Sequence, residues 1–225
     1  YFEETVSVAK AEEKTGYRFV FWSENADGEQ ADIPEKMPAK NLKYYAVYEL
    51  NTYTLTYHAG IGFFEDGTNE KVFEYKYGSE VKAFTEKPYA EGNTFTGWTP
   101  EEPKQMPAEN THIYAAWEIN KHTVEWVLET NENGEITYSE LEEYEYGETI
   151  DPYPASKTGY SLKGWFDEKN NPAPETMPDC DLVLFPEWEP VKYTVKYYLS
   201  EADWNEGRYF EQVKLSVGET IPMPA

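Results

Sequence analysis

Cysteine and basic side chains are scarce in this 225-residue sequence, and each shortage excludes a class of protein. The one cysteine, Cys180, cannot form a disulfide within the chain, and it lacks the neighbouring histidine that activates a nucleophilic thiol. Lysine and arginine number 19 against 43 aspartates and glutamates, which gives a formal charge of −24. A chain this acidic is repelled by phosphate backbones and anionic lipids, so neither nucleic acid nor a membrane surface is an expected partner.

Long apolar runs are missing as well. No stretch approaches the roughly 20 residues that a membrane-spanning helix needs, so we expect no direct membrane insertion in this segment and an anchor outside it. The chain is nevertheless 40% hydrophobic and 17% aromatic. This content is far above that of a disordered acidic tail, so the chain is expected to fold.

The residue patterns of known catalytic and metal centres are also absent. The histidines, His58, His112 and His122, occupy unrelated positions, and no HExxH motif, Cys/His cluster or nucleophile triad surrounds them. We therefore predict that the chain is not an enzyme and has no cofactor, although motifs alone cannot exclude a glycosidase pair among 43 acids. The segments 131–135 and 167–171 have a calcium-loop composition, but we interpret them as turns because Asn-Gly favours hairpins. Calcium binding stays open.

What the sequence does contain is an internal repeat of about 70 residues. Met-Pro pairs begin at Met37, Met106 and Met177, which are 69 and 71 residues apart. The same spacing separates a large aromatic residue ten positions after each Pro, and a Thr six positions further on: Tyr48, Trp117 and Trp188, then Thr54, Thr123 and Thr194. Several landmarks with one common period indicate tandem modules.

Within each module the residues alternate as in β-strands. The segments 53–57, 122–126 and 193–197 place large apolar side chains at every second position, which is typical of a half-buried strand. No long segment shows a helical period, so at most one short helix is expected in each module. We predict a mostly β fold, α+β at most, built of small tandem modules.

The repeat landmarks divide the chain into four parts. We predict a first, partial module over 1–50, complete second and third modules over 51–120 and 121–190, and a fourth, partial module over 191–225 that consists of a hairpin. A frame that starts at each Tyr-Gly turn, with units 1–77, 78–146 and 147–217, remains an alternative. The four-residue connectors at 49–52, 118–121 and 189–192 contain no glycine, so we expect them to hold the modules in a stiff, elongated rod.

The order of these motifs resembles the Listeria–Bacteroides repeat, the internalin-type B-repeat, over essentially the whole chain. The residues that carry the resemblance are a Tyr-Gly-Glu turn, Gly-Tyr and Gly-Trp pairs and a closing tryptophan: Tyr146-Gly147-Glu148, Gly159-Tyr160, Gly164-Trp165 and Trp188. Departures are Phe21 before Trp22, Asn93 in place of the Tyr, and Pro186 in the last strand. The resemblance implies a compact β-grasp-like module of bacterial surface proteins, with spacer or adhesive roles and no catalytic residues.

We therefore expect a non-catalytic, extracellular stalk or spacer of a bacterial cell-surface protein, with adhesion to a host protein or glycan as a further role. The alternative is a carbohydrate-binding module of a polysaccharide-degrading system, because exposed aromatic rings bind sugars. The aromatic residues without counterparts in the repeat are the candidates, foremost Phe63, Phe64, Trp204 and Tyr209, followed by Tyr89 and Phe210. They form either a variable recognition edge or, as we favour, packing against the neighbouring module.

Overall fold

The computed structural model describes residues 4–26 and 28–224, and its regular structure is almost entirely β. The chain divides into two compact units, Tyr1–Glu118 and Ile119–Ala225. The strands of the first unit are β1 Tyr17–Ser23, β2 Tyr45–Leu50, β3 Thr52–His58, β4 Glu70–Lys76, β5 Asn93–Thr99 and β6 Thr111–Ile119. Those of the second are β7 Lys121–Thr130, β8 Ile136–Glu145, β9 Tyr160–Phe166, β10 Leu182–Pro190, β11 Lys192–Tyr197 and β12 Glu211–Ser216, and α1, Glu201–Asn205, is the one helix among the described residues. The predicted mostly β fold is confirmed.

A four-stranded mixed sheet lies in the predicted second module, with strand order β4-β3-β6-β5. Hairpin strands β3 and β4 are antiparallel, and β6 then returns parallel to β3, with Leu55 opposite Thr111 and Tyr57 opposite Ile113. A parallel pair needs a long connection. Residues 77–92 make the first part of it without a helix, so the sheet has a β-grasp-like order but not a helix across its face.

The third module repeats this sheet with strand order β8-β7-β10-β9, where Val124 lies opposite Leu182 in the parallel pair. Pro186 lies on β10 beyond the residues that pair with β7, and opposite Trp165 of β9. The remaining strands form two-stranded antiparallel sheets, β1-β2 in the first module and β11-β12 in the fourth. The exact module bounds stay a prediction.

Each four-stranded sheet covers one core, and the methionine of each complete module's Met-Pro pair lies inside it. In the second module the alternation of β3 buries Leu55 and Tyr57 together with Ile113 of β6 and Met106 of the Met-Pro pair. The equivalent residues of the third module are buried in the same way: Val124, Trp126, Leu184 and Met177. The 70-residue period is therefore a period of core residues.

The Met-Pro segment also carries a backbone clamp on the connection that follows the hairpin. Met106 N–H donates to the carbonyl of Ser79 at 2.9 Å, and Val81 N–H donates to Lys104 at 3.1 Å. The first and third modules contain the same pair of bonds: Met37 to Glu4 and Val6 to Glu35, Met177 to Glu148 and Ile150 to Glu175. The clamp supplies hydrogen bonds to a crossing segment that has no regular structure of its own.

Candidate functional site

The first feature with a functional bearing is the junction between the first and second modules, both within the first unit. Gly16 adopts a positive φ of 77°, and a Cβ atom at this position would overlap the ring of Tyr77, which follows β4. The rings of Tyr17 and Tyr77 meet edge to face, with their centroids 6.1 Å apart. Glycine is therefore required here by backbone conformation and by the close approach of the next module.

Backbone hydrogen bonds through the connector tie the same two modules together. Asn51 N–H donates to the Gly16 carbonyl at 2.9 Å, and the Asn51 carbonyl accepts from Tyr77 N–H at 2.9 Å. The Asn51 side-chain amide also donates to the Tyr53 hydroxyl at 3.2 Å. Both polar groups of one connector residue are thus used, one on each side of the junction. We call this set, Gly16, Asn51 and Tyr77, the first module junction.

An equivalent junction joins the third and fourth modules inside the second unit. Gly159 has a φ of 81°, a Cβ on it would overlap Val217, and its carbonyl accepts from Val191 N–H at 2.9 Å. We call Gly159, Val191 and Val217 the second module junction. Gly-Tyr pairs at 16–17 and 159–160, and Tyr-Gly or Val-Gly pairs at 77–78 and 217–218, follow the repeat in the sequence, but the sequence does not show that they contact one another.

A cavity of about 540 Å³ lies beside the first module junction. Aromatic residues line it together with a strap of charged residues: Tyr17, Phe19, Tyr48 and Tyr53, with Lys10 to Lys14. Lys14 Nζ stands 4.1 Å from the ring centroid of Tyr17 and 5.8 Å from that of Tyr48, so cation–π contacts already use these ring faces.

The second candidate feature is an exposed apolar patch. It joins the tip of the β3–β4 hairpin to Tyr89, which lies in the segment after β4. Phe63 and Tyr89 form an isolated antiparallel bridge in which each N–H donates to the other residue's carbonyl at 2.9 Å. Phe63 is 57% exposed, Tyr89 69% and Ile61 61%. Facing residues of an antiparallel pair project to the same side, so Phe63 and Tyr89 share one face of the bridge. We call Ile61, Phe63 and Tyr89 the aromatic platform.

The loop that carries the platform is held by the module beneath it. The Trp117 indole N–H donates to the Ala59 carbonyl at 3.0 Å. A Cβ on Gly62 would come within 2.6 Å of both the Trp117 ring and the Tyr89 carbonyl oxygen, so the loop lies directly on that ring. The Asn69 amide donates to the carbonyls of Gly60 and Gly62 at 2.9 and 2.8 Å. The platform is therefore preorganised.

Ion pairing closes the far side of the same loop. Asp66 accepts hydrogen bonds from Lys71 Nζ at 2.5 Å and from the hydroxyl and N–H of Thr68, and these bonds hold the pKa of its carboxyl well below the usual range. The Asp66 carboxylate in turn raises the pKa of Lys71, whose ammonium also lies 3.6 Å from Glu86. The Lys71 ammonium, on β4, is thus paired with the carboxylates of Asp66 and Glu86.

The predicted ligand-binding residues do not share one environment. Phe64 is only 3% exposed and packs in the core of its own module, with ring centroids 5.8 Å from Phe84 and 6.2 Å from Trp98. A buried ring is not available to a ligand, so Phe64 leaves the candidate set. Its ring packs on its own module, so the predicted packing against a neighbouring module is wrong for Phe64.

Trp204 and Tyr209 lie in the β11–β12 connection of the second unit. Trp204 is 64% exposed on α1 and its ring meets Tyr198 edge to face at 5.0 Å. The Ser200 hydroxyl caps this short helix by accepting from Asp203 N–H at 3.2 Å. Tyr209 is exposed, with Lys196 Nζ 4.9 Å from its ring centroid. These two aromatics remain candidates.

The histidines bond to one another or to nearby carboxylates. His58 contacts Glu70 through Nδ1 and His112 through Nε2, each at 2.9 Å, and its ring stacks on Tyr114. His122 Nε2 lies 2.9 Å from Asp179. Across residues 4–26 and 28–224, no group of three or more His, Cys, Asp or Glu side chains is arranged to hold a metal ion.

The two acidic segments considered for calcium are closed turns. The Asn131 side-chain oxygen accepts from the N–H groups of Asn133 and Glu135, at 2.9 and 3.0 Å. The Asp167 carboxylate accepts from Asn171 N–H at 2.7 Å and from its amide at 2.8 Å, which lowers the pKa of Asp167.

In the part of the chain that the structure describes, no helix is long and apolar enough to cross a membrane.

Repeated mixed sheets, Met-Pro clamps and glycine junctions define a tandem array of small β modules. The profile of the Listeria-Bacteroides repeat domain matches residues 1–47, 53–116 and 129–184, and the chain belongs to this family.

Three curated relatives place the repeats in longer proteins. The chain is 32% identical over 231 residues to a protein of Evansella cellulosilytica named "Putative Gly-rich membrane protein", covering 94% of this chain and 24% of the relative. It is 32% identical over 198 residues to a "Putative membrane protein" of the same organism, covering 82% and 27%. Internalin H of Listeria monocytogenes matches at 32% over 92 residues, covering 36% of this chain and 16% of that protein. The chain thus spans about a quarter of the length of the first two relatives.

Proposed function

We propose that this chain is a non-catalytic, stiff spacer segment of a bacterial cell-surface protein, displayed outside the cell. The observation that carries the proposal is the module junction, which recurs in both units as a glycine covered by a side chain of the next module and bonded to the connector. A flexible tether is glycine- and serine-rich and makes no contacts with the modules that it joins. The connectors at 49–52 and 189–192 contain no glycine, and both bond to the preceding module through Gly16 and Gly159. Asn51 also bonds to Tyr77 of the following module.

The junction resists bending because its parts are all short-range and directional. Bending the first module junction would break the backbone bonds of Asn51 to Gly16 and Tyr77. It would also separate the ring of Tyr77 from the glycine that it covers. Losing several such contacts together costs more than thermal energy supplies, since each hydrogen bond is worth about 1 kcal/mol.

Surface location and net charge support the same role. Two of the relatives are named as membrane proteins and a third is an internalin. A formal charge of −24 opposes association between copies of the chain. The family is a repeat domain rather than a catalytic one, which supports the absence of an enzymatic role.

Small-angle scattering on Gly16→Ala, with Gly78→Ala as the matched control, tests the stiffness. Both glycines have positive φ, 77° and 72°, but a Cβ on Gly78 meets nothing within 4 Å whereas one on Gly16 overlaps Tyr77. The strain of an L residue at such a φ, roughly 1 kcal/mol, is therefore common to both variants. We expect a narrow distribution of elongated particles for the parent and for Gly78→Ala, and a broader one for Gly16→Ala. A broad distribution for the parent chain would refute the spacer proposal.

A further inference from the structure

We propose that the aromatic platform, Ile61, Phe63 and Tyr89, binds the flat apolar face of an uncharged polysaccharide chain. The geometry points to this ligand in four steps: exposure, rigidity, area and charge. The proposal is independent of the spacer function, because the platform lies at a hairpin tip and not at either module junction.

Exposure comes first. Large apolar side chains in a small module are normally used for its core, and this module already buries Phe64, Tyr57 and Leu55. Phe63 and Tyr89 instead keep more than half of their surface in water and lie side by side as a bridged pair. Two exposed rings on one face of the bridge offer a surface on which sugar rings can stack through their C–H groups.

Rigidity is the second step. The backbones of Phe63 and Tyr89 bond to each other. The Trp117 indole and the Asn69 amide bond to carbonyls of the loop just before Phe63. The rings are thus held in place before any ligand arrives, so that binding does not pay the entropy of ordering a loop.

The area of the platform decides between a small ligand and a protein. An aromatic side chain carries about 150–250 Å², so the exposed parts of these three side chains total on the order of 300 Å². A stable protein interface takes roughly 800 Å² from each partner. The platform is too small for a protein partner or a second copy of the chain, but its size fits a few sugar rings.

Charge decides between anionic and neutral polymers. The acids near the platform are Glu65, Asp66, Glu86 and Glu91. They outnumber the two bases, which are the exposed Lys87 and Lys71, and Lys71 is paired with Asp66 at 2.5 Å and with Glu86 at 3.6 Å. A sulfated or carboxylated chain would be repelled here. Carboxylates are instead good acceptors for sugar hydroxyl groups, which favours an uncharged glycan.

Affinity gel electrophoresis of the whole chain is the test, with soluble β-glucan, xylan and mannan as neutral probes and heparin as the anionic one. We expect at least one neutral polymer to retard the parent chain, and the double variant Phe63→Ala/Tyr89→Ala to bind it roughly tenfold more weakly. Tyr193→Ala is the matched control, because Tyr193 is an equally exposed tyrosine, 53%, in the fourth module. This variant should be retarded like the parent.

Three results would overturn the proposal. One is the absence of retardation by every neutral probe up to the solubility limit. Another is retardation that the double variant retains, which would place the binding elsewhere. The third is a concentration-dependent mass in light scattering that the double variant abolishes, because the platform would then be a contact between copies. Circular dichroism of the double variant should match the parent, since both substituted side chains are exposed.

Discussion

The second and third modules have the same sheet order but satisfy the polar end of their central aromatic side chain differently. In the second module Tyr57 donates its hydroxyl proton to Glu102, at 2.9 Å, from the segment after β5. In the third module the equivalent residue is Trp126, and its indole N–H donates to Glu142 on β8 at 2.8 Å. A large aromatic residue at this position needs a carboxylate at its polar tip, and either of two elements can supply it.

The same comparison holds at the hairpin tips. The β3–β4 connection is long, contains Ile61 and Phe63 of the aromatic platform and buries Phe64, whereas the β7–β8 connection is a compact Asn-Gly turn without aromatic residues. The sheet and its core are thus repeated, while the tips vary. Variation at a tip is cheap because the residues concerned do not belong to the sheet, and tips are therefore where module-specific recognition can arise.

The largest expected effect is that of removing the central aromatic side chain of one module. Trp126 is fully buried and meets Trp165 edge to face at 4.9 Å, so Trp126→Ala should destabilise the third module by about 3–5 kcal/mol. Denaturant unfolding followed by circular dichroism would show an early transition in this variant. Tyr138→Ala, at an exposed position of β8, should leave the transitions in place. A loss below about 1 kcal/mol would mean that Trp126 is not the centre of this core.

A smaller effect is expected from removing only the carboxylate partner. Glu142 accepts from Trp126 and also from the Tyr144 hydroxyl, each at 2.8 Å, so Glu142→Ala leaves a buried indole N–H without its acceptor. The expected cost is about 1–3 kcal/mol, measured by the same unfolding experiment. Glu140→Ala is the matched control, since Glu140 bonds only to the exposed Tyr138. Equal stabilities of the two variants would show that water replaces the lost carboxylate.

Much of this fold could be predicted from the sequence, because core residues repeat with the modules. Met106 stands at a landmark position, and the alternation around Leu55 and Trp126 predicts these strands and their buried faces. The junction partner of Gly16 could not be predicted, since Tyr77 is distant in sequence and only the fold brings the two together.

The aromatic platform could not be predicted from the sequence. Phe63 and Phe64 are adjacent aromatics in an irregular loop, where the two-residue period of a strand does not say which ring is buried. The partner that settles it is Tyr89, whose bridge to Phe63 comes from another loop. Neither phenylalanine has a counterpart in the repeat, so the repeat pattern does not distinguish Phe63 from Phe64. The structure distinguishes them, because Phe64 is buried and Phe63 is exposed.

The smallest effect concerns the titration of the tyrosines that flank the two carboxylates. Burial, followed by the hydrogen bond to Glu142, raises the pKa of Tyr144 to about 12. Burial and the bond to Glu102 raise the pKa of Tyr57 even further. A tyrosine in the unfolded chain has a pKa of about 10. Because the folded value is the higher one, the stabilisation from Tyr144 is complete below pH 10 and is lost as the pH rises through 12.

Absorbance at 295 nm between pH 9 and 13 measures this directly. The parent chain should show a late fraction of tyrosinate, and Tyr144→Phe should remove part of it that titrates near pH 12. Glu142→Gln removes the negative charge but keeps an acceptor, so Tyr144 should then titrate earlier while the third module stays folded. If Glu142→Gln left the late fraction unchanged, burial alone would set the pKa of Tyr144, and the carboxylate would matter to Trp126 only.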